Sequence, residues 1–309
     1  MRNLLISFIL LQSIVCHGQQ LNRELQVESD NDAYTLNVTR DQYYSSGIFL
    51  RYRFVRDSSK RKEGIEKKIR SYSLNHRIFT PKKLEWDDVQ LMDRPYAGQL
   101  SLAASNETYY KSEAYLKIMA ELGWMGSALG TEDLQYSWHK LFGMQLPFGW
   151  DYEIGNAPII NGYATYAKTL ASGEELDLIS ESNAAAGTTF NYLRQEFVIR
   201  FGTRKPIHKS TQYSGVVGIE NKGKGNHEFY FFLSPGFEYV AYNATIEGNL
   251  IGQSSVYTES REPLVFQTRA GVMLSFTRFD AAFIYYRRTK ETSEATFHKY
   301  LGIRLSHRF

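Results

Sequence analysis

The sequence predicts an all-β fold, a twelve-stranded antiparallel transmembrane β-barrel with a short helical segment in an outer loop. Three observations predict it. Apolar and polar residues alternate with period two over segments of ~10 or more residues, the length of a membrane-crossing strand. Such segments number about twelve, an even count as in bacterial barrels. The last segment alternates up to the terminal aromatic Phe309.

The elements follow in chain order. Arg2 precedes an apolar run from Leu4 to Val15, broken by Ser7, Gln12 and Ser13, and the small residue Gly18 follows. This is the order of a secretory signal peptide, so residues 1–18 are expected to be cleaved and 19–309 to form one barrel domain. A buried N-terminal helix is the alternative, but the run lacks an amphipathic period and Gln19 and Gln20 follow it. Lipid anchoring through Cys16 is a second alternative, disfavoured because Val15 occupies a position that wants a small residue. The run is also short of the roughly 20 residues a bilayer-spanning helix needs. Cys16 is the only cysteine. A chain cleaved after it has no disulfide, Cys-ligated metal or cysteine nucleophile.

Strands are expected at 21–31, 43–55, 67–79, 96–109, 112–126, 157–170, 174–187, 190–202, 228–243, 263–276, 279–290 and 297–309. In the second, Ile48, Leu50, Tyr52 and Phe54 oppose Arg51 and Arg53; in the fifth, Leu116, Ile118, Leu122 and Trp124 oppose Tyr115, Lys117 and Glu121. Leu193, Phe197, Ile199 and Phe201 likewise oppose Arg194, Glu196 and Arg200. Alternation alone does not say whether the apolar face meets lipid or a soluble core. The leader, the even count, the strand lengths and Phe309 decide for lipid. A secreted soluble barrel is the competing architecture. In a membrane barrel the charged faces line a mutually paired interior. With 36 Lys and Arg against 33 Asp and Glu, the net charge of +3 gives no electrostatic case for nucleic acid.

If the chain starts in the periplasm, every odd-to-even connection lies on the cell-surface rim. The first such loop begins Glu28-Ser29-Asp30-Asn31-Asp32 and ends Tyr43-Tyr44-Ser45-Ser46-Gly47. The second holds Thr80-Pro81-Lys82-Lys83 and closes with Asp93-Arg94-Pro95-Tyr96-Ala97-Gly98. The third carries Gln135-Tyr136-Ser137-Trp138-His139 in a helical stretch, then Gly149-Trp150-Asp151. Carboxylate, amides, hydroxyls, lysines and a histidine thus share one rim. Each has a plainer reading. Asp30-Asn31-Asp32 starts like a calcium loop but lacks the glycine at the sixth position, which rejects an EF-hand. A lone histidine is more often structural than catalytic. Ser137-x-x-Lys140 and Ser59-x-x-Lys62 both match S-x-x-K without its partner motifs, which marks coincidence. The sequon Asn243-Ala244-Thr245 carries no weight in a bacterial barrel. The connection Gly202 to His227 is long for an inner turn.

Taken together, these stretches resemble the outer-membrane lipid A 3′-O-deacylase family, from Glu28 to the C-terminal strand, with the sharpest motifs between Asn31 and Asp151. The resemblance implies a bacterial outer-membrane enzyme with its site open sideways to the outer leaflet. It implies calcium-dependent hydrolysis of an ester-linked acyl chain on lipid A. His139 then takes the place of the base that activates water, and Asp32 that of a carboxylate holding Ca2+. Asn31 and Ser45 align with polar residues of the same site, Ser45 and the Gly47 carbonyl being further candidate metal ligands. A lysine, Lys82 or Lys83, falls where the family has a second oxyanion donor. Arg94 and Tyr96 from the Asp93–Gly98 motif are candidates to touch substrate, and Gln135, four residues before His139, to orient the imidazole or the substrate. Ser45 stands where threonine is common in the family, and Asn156-Ala157-Pro158 lacks the acidic residue often found before the proline.

The residue types suit that chemistry. A hard cation on Asp32 and neutral oxygens polarises a carbonyl as an oxyanion hole does. An imidazole of ordinary pKa, ~6.5, is mostly neutral near pH 7 and accepts a proton from water. Neither Ser45 nor Ser46 sits in a nucleophile motif, so no acyl-enzyme is expected. The expected partners are lipid A or lipopolysaccharide and the surrounding outer-membrane lipids. The competing functions are an outer-membrane phospholipase and a non-catalytic barrel that conducts or binds at the surface.

Overall fold

Alternating side chains build an antiparallel cylinder because each strand offers one face to hydrocarbon and the other to the lumen, and closure leaves no unpaired edge. The computed structural model describes residues 21–35, 42–56, 63–85, 88–219 and 227–309. The expected signal peptide, the sequon Asn37-Val38-Thr39 and the S-x-x-K at Ser59 lie outside them. Twelve strands form one closed barrel: β1 (Arg23–Asn31), β2 (Tyr43–Val55), β3 (Ile65–Thr80), β4 (Ala97–Tyr110), β5 (Ala114–Met125), β6 (Ala157–Ser172), β7 (Leu176–Gly187), β8 (Phe190–Thr203), β9 (Glu228–Asn243), β10 (Leu264–Ser275), β11 (Phe279–Arg288) and β12 (His298–Arg308). Each expected strand is present with its ends shifted by no more than two residues. β12 closes the cylinder on β1, with Glu24 opposite Arg308 and Asn31 opposite Leu301. Helix α1 (Thr131–Phe142) occupies the β5–β6 loop, as expected. A one-turn helix α2 (Ala244–Glu247), not foreseen, opens the β9–β10 loop. Asn243, part of the sequon, is its cap, accepting the Thr245 N–H at 3.0 Å. No helix among the described residues is long and apolar enough to cross a membrane.

The exposed face of the strands is the apolar one. Leu102, Ile118, Leu122, Leu193, Phe231, Phe266 and Leu305 all point outward and are at least half exposed. A soluble barrel would hide this set, so the outside-in alternative is settled for lipid. The lumen holds charges in mutual contact. Arg53 donates to Glu24 at 2.8 Å and approaches Glu107 at 3.7 Å. Arg77 meets Glu121 at 3.0 Å, and Arg269 bridges Glu196 and Glu181 at 2.8 and 3.1 Å. Pairing is required because an isolated charge in such an interior costs several kcal/mol.

The described part of the long inner connection is a plug. Residues 204–219 fold into the mouth opposite the loop-rich rim, with Ile207 and Val217 fully buried. Tyr213 donates to Glu181 at 2.9 Å, and its carbonyl accepts from the Tyr109 hydroxyl at 2.5 Å. Arg200 donates to Ser210 at 2.8 Å and Lys67 to the Val217 carbonyl at 2.8 Å. Ile207, Tyr213 and Val217 join Ile69, Tyr109 and Tyr230 in one apolar cluster.

Candidate active site

The candidate residues fall on one rim, and the fold explains how. The β3–β4 loop is its hub. Asp93 accepts from the Tyr43 hydroxyl at 2.8 Å and from the Lys82 N–H at 2.9 Å, tying that loop to the start of β2. Its carbonyl accepts from Thr292 at 2.8 Å, and the Met92 carbonyl accepts from Tyr257 at 2.6 Å, which draws in the two distant outer loops.

At the top of β1, Asn31 pairs with Ser46 and its side chain accepts the Ala33 N–H at 2.7 Å, forming a tight turn. Asp32 is buried. Its N–H donates to the Ser45 carbonyl at 3.2 Å, and its carboxylate accepts the Gln42 N–H at 2.5 Å. Ser45 sits in a β-bulge, the register shifting between Tyr44 and Ser46, and is also buried. A bulge places an extra residue on one strand and re-aims side chains. Gly47 lies in the ladder opposite Asp30 and Arg77. A Cβ there would fall 2.0 Å from the Tyr44 hydroxyl, which donates to Asp30 at 3.0 Å. Gly47 therefore also makes room for Tyr44.

On α1 the buried residues are Thr131, Gln135 and His139, one face at four-residue spacing. Trp150 donates its indole N–H to Gln135 Oε1 at 2.9 Å, and its ring packs at 4.8 Å on Tyr96. Ile78, Leu84, Met92, Tyr96 and Trp150 form one cluster at the tops of β3 and β4. His139 Nδ1 contacts the Gln145 carbonyl. A carbonyl only accepts, so Nδ1 carries the proton and Nε2 is the lone-pair nitrogen. From Thr131 to His139 the helix advances about 12 Å. Stepping from β4 to β1 covers about 14 Å. The advance of the helix is thus slightly less than the width of wall between its seat on β4 and the strand that bears Asn31.

The two residues expected to touch substrate are held by protein. Arg94, 1% exposed, donates to Glu291 at 3.1 Å and to Thr245 at 2.9 Å. Tyr96 is fully buried and donates to the Leu84 carbonyl at 3.4 Å. In this arrangement both brace loops. Lys82 is half-buried and Lys83 exposed, and both immediately precede the Leu84 anchor. Trp150 and Leu84 are site-framing residues whose part the sequence reading did not see; the Gly149-Trp150-Asp151 motif was the only sign of the first. Asn156 ties the ends of the α1 loop, donating to Ser127 and Gln253 at 2.9 Å each.

Burial, then Glu132, pushes the Glu153 carboxyl up to about 7. Burial, followed by Asp151 and Asp133, raises Glu132. A carboxyl raised in the folded state favours folding as pH falls through its folded value and opposes it above. The 150–156 segment is thus expected to exchange its amide hydrogens more slowly at pH 6 than at pH 8, after correction for intrinsic exchange. A Glu153→Gln variant should remove the difference.

Among the described residues no three His, Cys, Asp or Glu side chains are grouped to hold a metal. Asp32 is the one carboxylate of the candidate set; the Ser45 carbonyl accepts its N–H, and the Ser45 hydroxyl and the Gly47 carbonyl are the neutral oxygens of the set. Calcium accepts such a set, since it is a hard cation that takes carboxylate, hydroxyl and carbonyl oxygen. Two cavities of about 210 and 190 Å³ lie in the lumen, lined by paired charges and tyrosines. Neither is lined by Asp32 or His139.

A family profile described as outer membrane protein LpxR matches residues 4–309. The chain belongs to the LpxR outer membrane protein family. Among solved structures it is similar to LpxR from Salmonella typhimurium, with a TM-score of 0.74, 17% identity, and 93% of this chain and 100% of that chain covered. It is more distantly similar to an outer membrane channel from Pseudomonas putida F1, with a TM-score of 0.48, 11% identity and coverage of 96% and 97%. No curated protein sequence matches the chain. LpxR membership and the closed barrel place the protein in the outer membrane and support a part in lipid A modification.

Proposed function

We propose that this LpxR-family barrel hydrolyses an ester-linked acyl chain of lipid A in the outer leaflet, the 3′-O-linked acyloxyacyl unit being the linkage the family resemblance implies. One observation carries the reading. The buried face of α1 is seated through Thr131 on Gly98 of β4 and through Gln135 on Trp150, and its His139 belongs to the same rim where β1 and β2 carry Asn31, Asp32 and Ser45. A substrate diffusing in the leaflet reaches such a site from the side with its acyl chains still in hydrocarbon.

His139 Nε2 takes a proton from water, and the hydroxide adds to the ester carbonyl carbon. The tetrahedral oxyanion collapses, the C–O bond to the sugar breaks, and the imidazolium returns its proton to the departing alkoxide. Gln135, fixed by Trp150, holds the helical face that presents the imidazole. Lys82 or Lys83 donates to the developing oxyanion, as does Asn31. Asp32, Ser45 and the Gly47 carbonyl are the groups that would hold calcium, which when bound polarises the scissile carbonyl.

The test is mass spectrometry of lipid A from cells expressing the protein. Loss of one ester-linked acyl unit, abolished by chelator, is expected. Unchanged lipid A alongside fatty acid release from glycerophospholipid would give the site to a phospholipase instead. Lys82→Ala and Lys83→Ala separate the two lysines: the oxyanion donor should lose about 10²–10³ in turnover and the other little. A conducting barrel is disfavoured by the plug and the paired charges across the lumen. Reconstituted in a planar bilayer, the protein is expected to give no steady unitary current, and regular conductance steps would revive the pore.

A further inference from the structure

Helix α1 has a face that its own protein leaves bare. Glu132, Asp133, Ser137 and Lys140 form a polar arc, and Thr131, Gln135 and His139 the buried one. Between them Leu134, Trp138 and Leu141 are 55, 55 and 74% exposed. At 100° per residue these three fall within an arc of about 60°. Phe142, also exposed, extends the stripe, its ring 4.6 Å from that of Trp138. A stripe of this kind ordinarily faces a core. Here none of the described residues covers it.

The seat of α1 says what does. Gly98, Leu100 and Leu102 alternate along β4, so they share its outward face, and Leu102 is 65% exposed there. Thr131 rests on Gly98: a Cβ on the glycine would fall 2.2 Å from Thr131 Oγ1. Helix α1 therefore starts on the outer surface of the wall, two residues beyond Leu100, or about 7 Å. Trp124, two-fifths exposed on the adjacent β5, donates to Asn156 at the base of the same loop. The bare stripe thus continues an apolar surface that already belongs to lipid.

We propose that Leu134, Trp138, Leu141 and Phe142 lie in the acyl-chain boundary of the leaflet, making α1 an interfacial helix whose occupant is the surrounding lipid. Glu132, Asp133 and Lys140 then remain in the headgroup layer, the division of faces that interfacial helices show, and tryptophan suits that depth. His139 lies on the buried arc about 100° from Trp138 and next to Glu132, so its imidazole faces away from the stripe, toward the barrel. Only the naming of the leaflet rests on the proposed function.

The experiment uses the full chain with Cys16→Ser, reconstituted in dioleoylphosphatidylcholine vesicles, with a nitroxide on Leu134→Cys, Leu141→Cys, Glu132→Cys or Lys140→Cys in turn. Collision with oxygen relative to a water-soluble nickel chelate should be several-fold higher at 134 and 141 than at 132 and 140. Equal, water-like values at all four, or spin–spin broadening at 134 and 141 from a second copy, would overturn the proposal. Brominated acyl chains give a label-free check: they should quench the wild type more than Trp138→Phe, and equal quenching would sink the idea. Neither readout needs hydrolysis. An inactive protein with a lipid-embedded stripe would defeat the proposed function alone, and an active one with a water-exposed stripe this proposal alone.

Discussion

His139→Ala is expected to lower acyl release from lipid A by about 10²–10⁴-fold, the range a positioned general base supplies. The argument is geometric. The Nδ1 proton is committed to the Gln145 carbonyl, so the ring is held in one tautomer with Nε2 as its basic atom. Alanine removes that atom and leaves water unactivated, while the rest of the α1 face, held by Gln135 and Trp150, persists. Circular dichroism and resistance to unfolding should therefore stay close to wild type while turnover falls. Asp32→Ala should abolish activity through a different route. The substitution removes the only carboxylate among the proposed calcium ligands, so Asp32→Asn should retain some activity but demand much more calcium, whereas His139→Ala should leave the calcium requirement of its residual activity unchanged. Lipid A mass spectra that look alike for wild type and both variants would reject the assigned roles.

The sequence showed the barrel and half-showed the site, for reasons that lie in the range of the interactions. A strand reports itself locally: Leu193, Phe197 and Phe201 face lipid because neighbours two residues away do, and Arg194, Glu196 and Arg200 the lumen. Period-two burial is a property of a dozen consecutive residues, so all twelve strands were legible. Helix α1 was legible only as a helical stretch of the third outer loop. The plug was not. Ile207, Tyr213 and Val217 are buried at irregular spacing, and their partners Tyr109, Glu181 and Lys67 come from distant strands. Arg94 shows the same limit at the site. Its motif marked it as a residue of interest, but the groups that engage its guanidinium, Thr245 and Glu291, lie in loops more than a hundred residues away, and nothing local separates a brace from a substrate arm. The bulge at Tyr44 to Ser46 is a further case. Strict alternation assigns Ser45 to one face by counting, whereas the extra residue resets the count where the candidate ligands begin.

Gly98 offers the sharpest separation of site geometry from site chemistry. Its outward Cα carries no reacting group, yet a Cβ at that position would lie 2.2, 2.6 and 2.9 Å from Oγ1, Cβ and Cγ2 of Thr131. Ordinary contact needs more than 3.4 Å, so Gly98→Ala must lift the first turn of α1 off the wall by about 1 Å or distort β4, at a cost of about 1–3 kcal/mol. A displacement of that size at a catalytic group costs about 10²-fold in rate. Gly98→Ala is thus expected to lose about two orders of magnitude in turnover while Asp32, Ser45 and the lysines are untouched. The three nearest clashing atoms are all side-chain atoms of Thr131, so a second substitution should relieve most of the clash: Thr131→Gly removes all three. Position 131 is the first residue of the helix, where glycine's conformational penalty is smaller than in the interior. The double variant Gly98→Ala/Thr131→Gly should recover most of the lost rate, and Thr131→Gly alone should stay near wild type. Such a coupling, read as a double-mutant cycle, means that α1 must sit flush on the outer wall for His139 to work. If Gly98→Ala were fully active, the imidazole's position would not depend on that seat, and the lateral site would have to be rebuilt around a different anchor for the helix.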